Sequence, residues 1–206
     1  MARGIFKTAG KGNAMNIQES KSALRAKIRA ALEKISPAVR AVESIDLCQR
    51  LKTQIPGAHT ILFFAPLPDE LDVWPLLEFS MALGTTCALP FFDAAKMTYG
   101  ARRLDRLATD VVTGKFGVRE PAASCAEISL ETFDLVLVPG MAFDLSGNRL
   151  GRGRGFYDRL LEKISGVKCG VGYDFQLLPS LPIEANDLKV DFIVTPGKCA
   201  KSKKEP

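Results

Sequence analysis

Histidine is almost absent from this chain: His59 is the only one among 206 residues. A zinc cluster, or a Ser-His or Cys-His catalytic pair, would have to use that one residue, so neither is expected. The five cysteines (Cys48, Cys87, Cys125, Cys169, Cys199) are odd in number, scattered, and form no Cys-x-x-Cys pair. They read as small buried hydrophobes in a reducing cytoplasm rather than as a disulfide framework. No apolar run is long enough to cross a bilayer, because charged residues interrupt every candidate. Residues 1–14 are small, basic and glycine-rich without an apolar core, so no secretory signal is expected there. No repeat, linker or low-complexity block divides the chain.

What is present fits one globular domain. Hydrophobic residues make up 47% and the net charge is +5. We expect a tail over 1–18, a single domain over 19–197 and a basic tail over 198–206. The ends hold much of the positive charge (Arg3, Lys7, Lys11, then Lys198, Lys201, Lys203 and Lys204), and these read as solvated. The remaining positive balance suits acidic small molecules, and no nucleic-acid recognition motif is present. A monomer is the expected state.

Leu24, Ile28, Ala31, Leu32 and Ile35 recur at helical spacing, which predicts a helix from about Glu19 to Lys34. Lys21, Arg25 and Arg29 stack four apart on another of its faces. Ser36-Pro37 caps a second helix with apolar positions Val42, Ile45, Cys48, Leu51 and Ile55. Strands are expected at Ile61–Ala65, Thr85–Phe91, Leu135–Val138, Val167–Gly172 and Phe192–Thr195. A helix is expected over Trp74–Leu83 and an exposed strand or hairpin around Lys96–Leu104. Short apolar runs alternating with helices predict an α/β fold, a mostly parallel sheet with helices on both faces, Rossmann-like in three layers. In such sheets ligands lie at the carboxyl ends of strands. The loops after Ala65, Val138 and Gly172 would therefore meet, bringing Glu70, the segment after Val138 and residues 173–187 around one cleft.

The segment after Val138 is the richest in chemistry. Pro139-Gly140-Met141-Ala142-Phe143-Asp144 leads through Gly147-Asn148-Arg149-Leu150 into Gly151-Arg152-Gly153-Arg154-Gly155-Phe156-Tyr157-Asp158. It reads as a strand, a turn, a glycine-arginine loop and a helix starting near Gly155. Alternating glycines let backbone N–H groups approach a ligand. Arginines grip phosphate or carboxylate in a planar fork. No Gly-Lys-Ser/Thr follows, so this is not a Walker A loop, and the spacing is a poor dinucleotide fingerprint. Read from residue types alone, a structural turn with solvated arginines and a basic stretch touching RNA both remain open.

This run is similar to the signature of the 5-formyltetrahydrofolate cyclo-ligase (methenyltetrahydrofolate synthetase) family. Lys21–Arg25, Asp69-Glu70-Leu71-Asp72, Leu89-Pro90, Gly117-Val118-Arg119-Glu120-Pro121, Glu184-Ala185-Asn186-Asp187 and Val190-Asp191 fall where that family has landmarks. The resemblance spans roughly Lys21 to Thr195.

The resemblance implies ATP- and Mg²⁺-dependent closure of 5-formyltetrahydrofolate, with or without a polyglutamyl tail, to 5,10-methenyltetrahydrofolate. It assigns ATP contacts to Lys21, Ser22, Ala23, Leu24 and Arg25, and to Arg149, Leu150, Gly151, Arg152, Gly153, Arg154, Gly155, Phe156 and Tyr157. Substrate contacts fall to Ala65, Glu70, Arg152, Gly153, Arg154, Gly155 and Phe156. Catalytic roles fall to Arg149, Arg152, Arg154 and Tyr157, and the metal ion to Asp158 and Asp187. Phe63, Phe64, Trp74, Phe91, Phe92, Met97, Tyr99 and Phe116 are further candidates for a pterin slot. A relative acting on another N-formyl compound and a non-enzymatic RNA-associated protein are the alternatives.

Overall fold

The computed structural model describes residues 10–114, 117–184 and 187–202. Helix α1 spans Gly10–Leu32 and α2 spans Pro37–Gln54. Ser36 accepts a hydrogen bond from the Val39 N–H at 3.3 Å and Pro37 fixes φ at the helix start, so α2 begins where the sequence predicts. There follow β1 (Thr60–Leu62), α3 (Trp74–Ala82), β2 (Thr86–Asp93), β3 (Thr98–Leu104), α4 (Leu107–Asp110), β4 (Val111–Thr113), β5 (Arg119–Pro121) and β6 (Glu127–Ile128). The C-terminal half adds β7 (Leu135–Pro139), β8 (Ala142–Asp144), β9 (Arg149–Leu150), α5 (Phe156–Leu161), β10 (Val167–Val171), β11 (Leu177–Leu178), β12 (Phe192–Val194) and β13 (Cys199–Lys201).

The main sheet has the order β13-β12-β10-β7-β1-β2-β3-β6. From β12 to β2 every neighbouring pair is parallel; β13, β3 and β6 attach antiparallel at the edges. The expected α/β fold is therefore present. Period-two alternation sends Leu135, Leu137, Ile61 and Cys87 to one face with Leu32, Leu47, Leu51, Leu76 and Leu77 of α1–α3. Val136, Val138, Leu62 and Ala88 point to the other face, against Leu160, Leu161 and Ile164 in and just after α5. Among the described residues no helix is long and apolar enough to cross a membrane.

Several boundaries differ from the sequence reading. Helix α1 begins at Gly10, inside the segment expected as a tail. On α2 the buried face is Ser44, Leu47, Cys48 and Leu51, while Val42 and Ile45 are exposed. Ser44 goes inside because its hydroxyl is fully used: it donates to Arg40 O at 2.7 Å and accepts from Asp72 N at 2.9 Å. Phe192–Val194 does not end the sheet, since Cys199–Lys201 pairs beyond it within the expected basic tail. Cys48, Cys87 and Cys169 are buried as expected; Cys199 is exposed, on the edge strand β13, and Cys125 lies between. Arg3, Lys7, Lys203 and Lys204 lie outside the described residues.

A small sheet, β11-β8-β9, holds the glycine-arginine loop at one end. Its turn is closed by Asp144, a buried carboxylate accepting from Ser146 N (2.9 Å), Asn148 N (3.1 Å), Asn148 Nδ2 (2.9 Å) and Leu181 N (3.0 Å). Asp144→Ala would strip all four donors of their acceptor inside the protein. It is expected to cost about 3 kcal/mol of stability, read as a lowered urea midpoint with unchanged slope.

Candidate active site

A cavity of about 280 Å³ opens at the carboxyl ends of β1, β2 and β7, where a parallel sheet places its ligands. The loop after β1 contributes Ala65, Leu67 and Glu70, and β2 contributes Pro90, Phe91 and Phe92. The β4–β5 hairpin supplies Val118, Arg119 and Glu120. Pro139 and Gly140 leave β7 beside Arg149. The glycine-arginine loop adds Gly151, Arg152, Arg154 and Gly155, and α5 adds Phe156, Tyr157 and Asp158.

The loop has the backbone that its glycines permit. Gly153 sits at φ +96° and Gly155 at φ +63°, the latter as N-cap of α5. Helix α5 is only 6 residues long, so its dipole adds little and the fixed cations carry the positive charge. Arg154 is exposed within the lining, whereas Leu150 turns its side chain into the core.

The cations and carboxylates of this region neutralise one another. Arg149 is buried, donates from Nη2 to Asp158 at 2.6 Å and from Nη1 to Pro139 O at 3.3 Å, and lies over the Tyr157 ring. Its Nε has no hydrogen-bond partner among the described residues. Arg152 donates to Asp69 at 2.7 Å and, from Nε and Nη2, to Glu70 Oε1 at 3.1 and 3.0 Å. The other Glu70 oxygen accepts from Leu67 N at 3.0 Å. Burial pushes the Glu70 carboxyl up, against the opposing pull of Arg152. Burial likewise raises the Tyr157 phenol, keeping it neutral and a hydrogen-bond donor.

Helix α1 runs alongside. Arg25 donates to Gly151 O at 2.9 Å, and its guanidinium lies 3.6 Å from where a side chain on Gly153 would begin. One turn earlier, Lys21 is buried and donates to Asp187 at 2.6 Å and Glu184 at 2.9 Å. Desolvation would lower the Lys21 ammonium, but the two carboxylates outweigh it and raise it. The same contact pulls the Glu184 carboxyl down. Ser22 and Ala23 are exposed on α1, and Leu24 packs on the core.

The structure thus gathers Ala65, Glu70, Arg149, Gly151, Arg152, Arg154, Gly155, Phe156, Tyr157 and Asp158 around one space. Among the described residues it does not bring 173–184 or Asp187 into that lining: Tyr173 is buried and accepts from Arg40, and Asp187 faces Lys21. Of the pterin-slot candidates, Phe91 and Phe92 line the cavity. Phe63 and Phe64 are core, Trp74 lies under Arg119, and Met97 is exposed. Tyr99 stands behind the wall, with ring centroids 5.0 Å from Phe92 and 4.5 Å from Phe156. Phe116, Ala185 and Asn186 lie outside the described residues. Leu67, Pro90 and the hairpin residues Val118–Glu120 join the lining without having been assigned to a site. For Val118–Glu120 the only signal was the family landmark Gly117–Pro121.

Comparison with known proteins agrees with this architecture. The model of the 5-formyltetrahydrofolate cyclo-ligase family matches residues 17–196. A 5-formyltetrahydrofolate cyclo-ligase of Mycolicibacterium smegmatis is 33% identical over 190 residues, 87% of this chain and 95% of the relative. Its namesake in Mus musculus is 26% identical over 199 residues, 88% and 96% of the two chains. The NMR structure of Aquifex aeolicus 5,10-methenyltetrahydrofolate synthetase superposes with a TM-score of 0.81 at 31% identity, covering 90% of this chain and 94% of that one.

Proposed function

The chain belongs to the 5-formyltetrahydrofolate cyclo-ligase family, and on that premise we propose that it closes 5-formyltetrahydrofolate to 5,10-methenyltetrahydrofolate as ATP becomes ADP and phosphate. The protein is a ligase, as its named relatives are. The formyl oxygen attacks the γ-phosphate, N10 then attacks the formyl carbon, and phosphate departs. The substrate supplies both nucleophiles, which accords with a cavity lining that contains no His, Cys or Ser. The protein's task is positioning and charge neutralisation.

The observation that carries this reading is the pairing of three cations at the site, the buried Lys21 and Arg149 and the half-buried Arg152, with carboxylates assigned to other ligands. Arg152 holds Glu70, Arg149 holds Asp158, and Lys21 holds Asp187. A triphosphate would draw the three cations to itself and release the three acids: Glu70 for the N–H groups of a pteridine, Asp158 and Asp187 for a metal ion. The orphaned Nε of buried Arg149 fits a phosphate oxygen. Among the described residues no three His, Cys, Asp or Glu side chains gather as a metal cage. Two carboxylates without a third protein ligand suit Mg²⁺, which arrives with nucleotide and keeps phosphate oxygens and water as ligands. The ion would neutralise charge on the transferred phosphoryl group. The scattered cysteines, of which Cys48, Cys87 and Cys169 are buried, support a cytoplasmic setting.

The exchange predicts coupled binding. Calorimetry should find that a Mg²⁺-bound, non-hydrolysable ATP analogue strengthens 5-formyltetrahydrofolate binding by about tenfold, within the usual range for linked sites. Glu70→Gln replaces one strong acceptor by an amide. It should weaken folate binding about tenfold, the loss of a charge-assisted hydrogen bond of roughly 1.5 kcal/mol, while nucleotide affinity holds or rises, since only Asp69 then competes for Arg152 as a carboxylate. Folate binding that ignores both nucleotide and Glu70 would contradict the reading.

The metal assignment has its own test. Asp158→Asn and Asp187→Asn each remove a charge and little volume. Each should raise the Mg²⁺ concentration giving half-maximal turnover by about tenfold while the fold persists, consistent with loss of one hard anionic ligand. Unchanged Mg²⁺ titrations for both would remove the assignment.

A further inference from the structure

Three carboxylates line the cavity: Glu70, Glu120 and Asp158. Glu70 is occupied by Arg152 and the Leu67 N–H, and Asp158 by Arg149. Glu120, on β5 of the β4–β5 hairpin, has no hydrogen bond or ion pair among the described residues. The hairpin sets the position of its backbone. Glu120 stands across from Val112 in the β4–β5 register, and Gly114 N donates to Val118 O at 2.7 Å to close the hairpin. The carboxyl carbon lies 2.4 Å from where a side chain on Gly114 would begin, so a larger residue there would push the carboxylate aside.

Ring closure has a proton to dispose of. N10 of 5-formyltetrahydrofolate carries one hydrogen, and N10 of the methenyl product carries none. Resting on the cyclisation proposed above, we propose that Glu120 is the general base that takes the N10 proton. The N10 lone pair forms the C–N bond to the formyl carbon. The bond from that carbon to the phosphorylated oxygen breaks, and its electron pair leaves on inorganic phosphate. The N10 proton passes to the Glu120 carboxylate and from there to solvent. The other lining groups are unsuited: the arginines have no acceptor, the Tyr157 phenol is kept neutral by burial, and Glu70 and Asp158, once released by Arg152 and Arg149, are taken by the pteridine N–H groups and the metal ion. Exposed on the wall and unpaired among the described residues, this carboxylate can accept and release a proton at each turnover.

The test separates phosphoryl transfer from ring closure. Glu120→Gln, Glu120→Asp and Gly114→Ala would be compared with the unaltered protein. Two readouts are needed: growth of methenyl absorbance, and ¹⁸O scrambling between the β,γ-bridge and β-non-bridge positions of labelled ATP. Scrambling reports reversible phosphorylation before closure. Glu120→Gln should slow methenyl formation about a hundredfold, within the usual range for a general base, while scrambling continues and folate affinity stays within about threefold. Glu120→Asp should restore part of the rate. Gly114→Ala, which displaces the carboxylate without altering it, should slow closure in the same selective way. A Glu120→Gln protein that closes the ring at near the unaltered rate, or that loses scrambling and closure together, overturns the proposal. An unaltered protein that forms no methenyl product removes the parent reading, and this one with it.

Discussion

A Gly153→Val variant is expected to stay folded and to bind Mg·ATP about a hundredfold more weakly. Gly153 holds φ +96°, a region closed to β-branched residues. Forcing valine there costs up to about 3 kcal/mol, which the exposed loop avoids by relaxing into another shape. The binding-competent conformer then becomes scarce, and affinity falls by the same factor of about 10². The new side chain would also grow from a point 3.6 Å from the Arg25 guanidinium, the contact through which α1 meets the loop. Because Gly153 is outside both core clusters, the urea midpoint should barely move. Calorimetric titration with a non-hydrolysable analogue reads the loss. Unchanged affinity in a folded variant would mean that this loop does not cradle phosphate.

Arg149→Lys is expected to reduce kcat/KM by about 10²–10³, the cost typical of removing one preorganised donor aimed at developing charge. The substitution keeps the charge but removes the planar fork. Arg149 reaches Asp158 and Pro139 O at once from a side chain only 4% exposed. A lysine ammonium can meet one of them and leaves the other unsatisfied, so stability should also fall by about 1–2 kcal/mol. Steady-state kinetics with varied Mg·ATP, beside a urea titration, separates the two effects. Wild-type kcat/KM with lowered stability alone would demote Arg149 to a structural role.

The parts of this molecule that were legible in its sequence are those fixed by local chemistry. Ser36-Pro37 announces α2, the apolar run Leu135–Val138 announces a central strand, and the glycines around Arg152 and Arg154 announce the loop. The α2 face was misjudged because apolarity alone selected Val42 and Ile45, whereas the chain buries Ser44 by giving its hydroxyl two backbone partners. Cys199–Lys201 looked like a charged tail because an edge strand needs only one pairing neighbour and tolerates lysine. Val118, Arg119 and Glu120 escaped assignment to the cavity because their position depends on contacts across the sheet, which no local pattern encodes.

The site divides in the same way. The family resemblance pointed to Glu70, Arg149, Arg152 and Asp158, and the fold brings these into one lining. Their partners were not legible. Arg152 meets Glu70 across 82 residues of chain, and Lys21 meets Asp187 across 166. A periodic pattern says which face of an element is wet; it does not say which distant charge arrives there. Hence Lys21 was read as a phosphate ligand and Asp187 as a metal ligand, while the fold joins them to each other.

The central claim is that the glycine-arginine loop and the Glu70 pocket form one catalytic site for ATP-driven closure of 5-formyltetrahydrofolate. Purified protein mixed with Mg·ATP and 5-formyltetrahydrofolate tests it most directly, followed by the growth of methenyl absorbance with ADP measured in parallel. The account predicts one ADP released for each methenyl formed, and neither when ATP, Mg²⁺ or the formyl group is withheld. Methenyl formation without ATP, or ADP release without methenyl when all three are present, would contradict it.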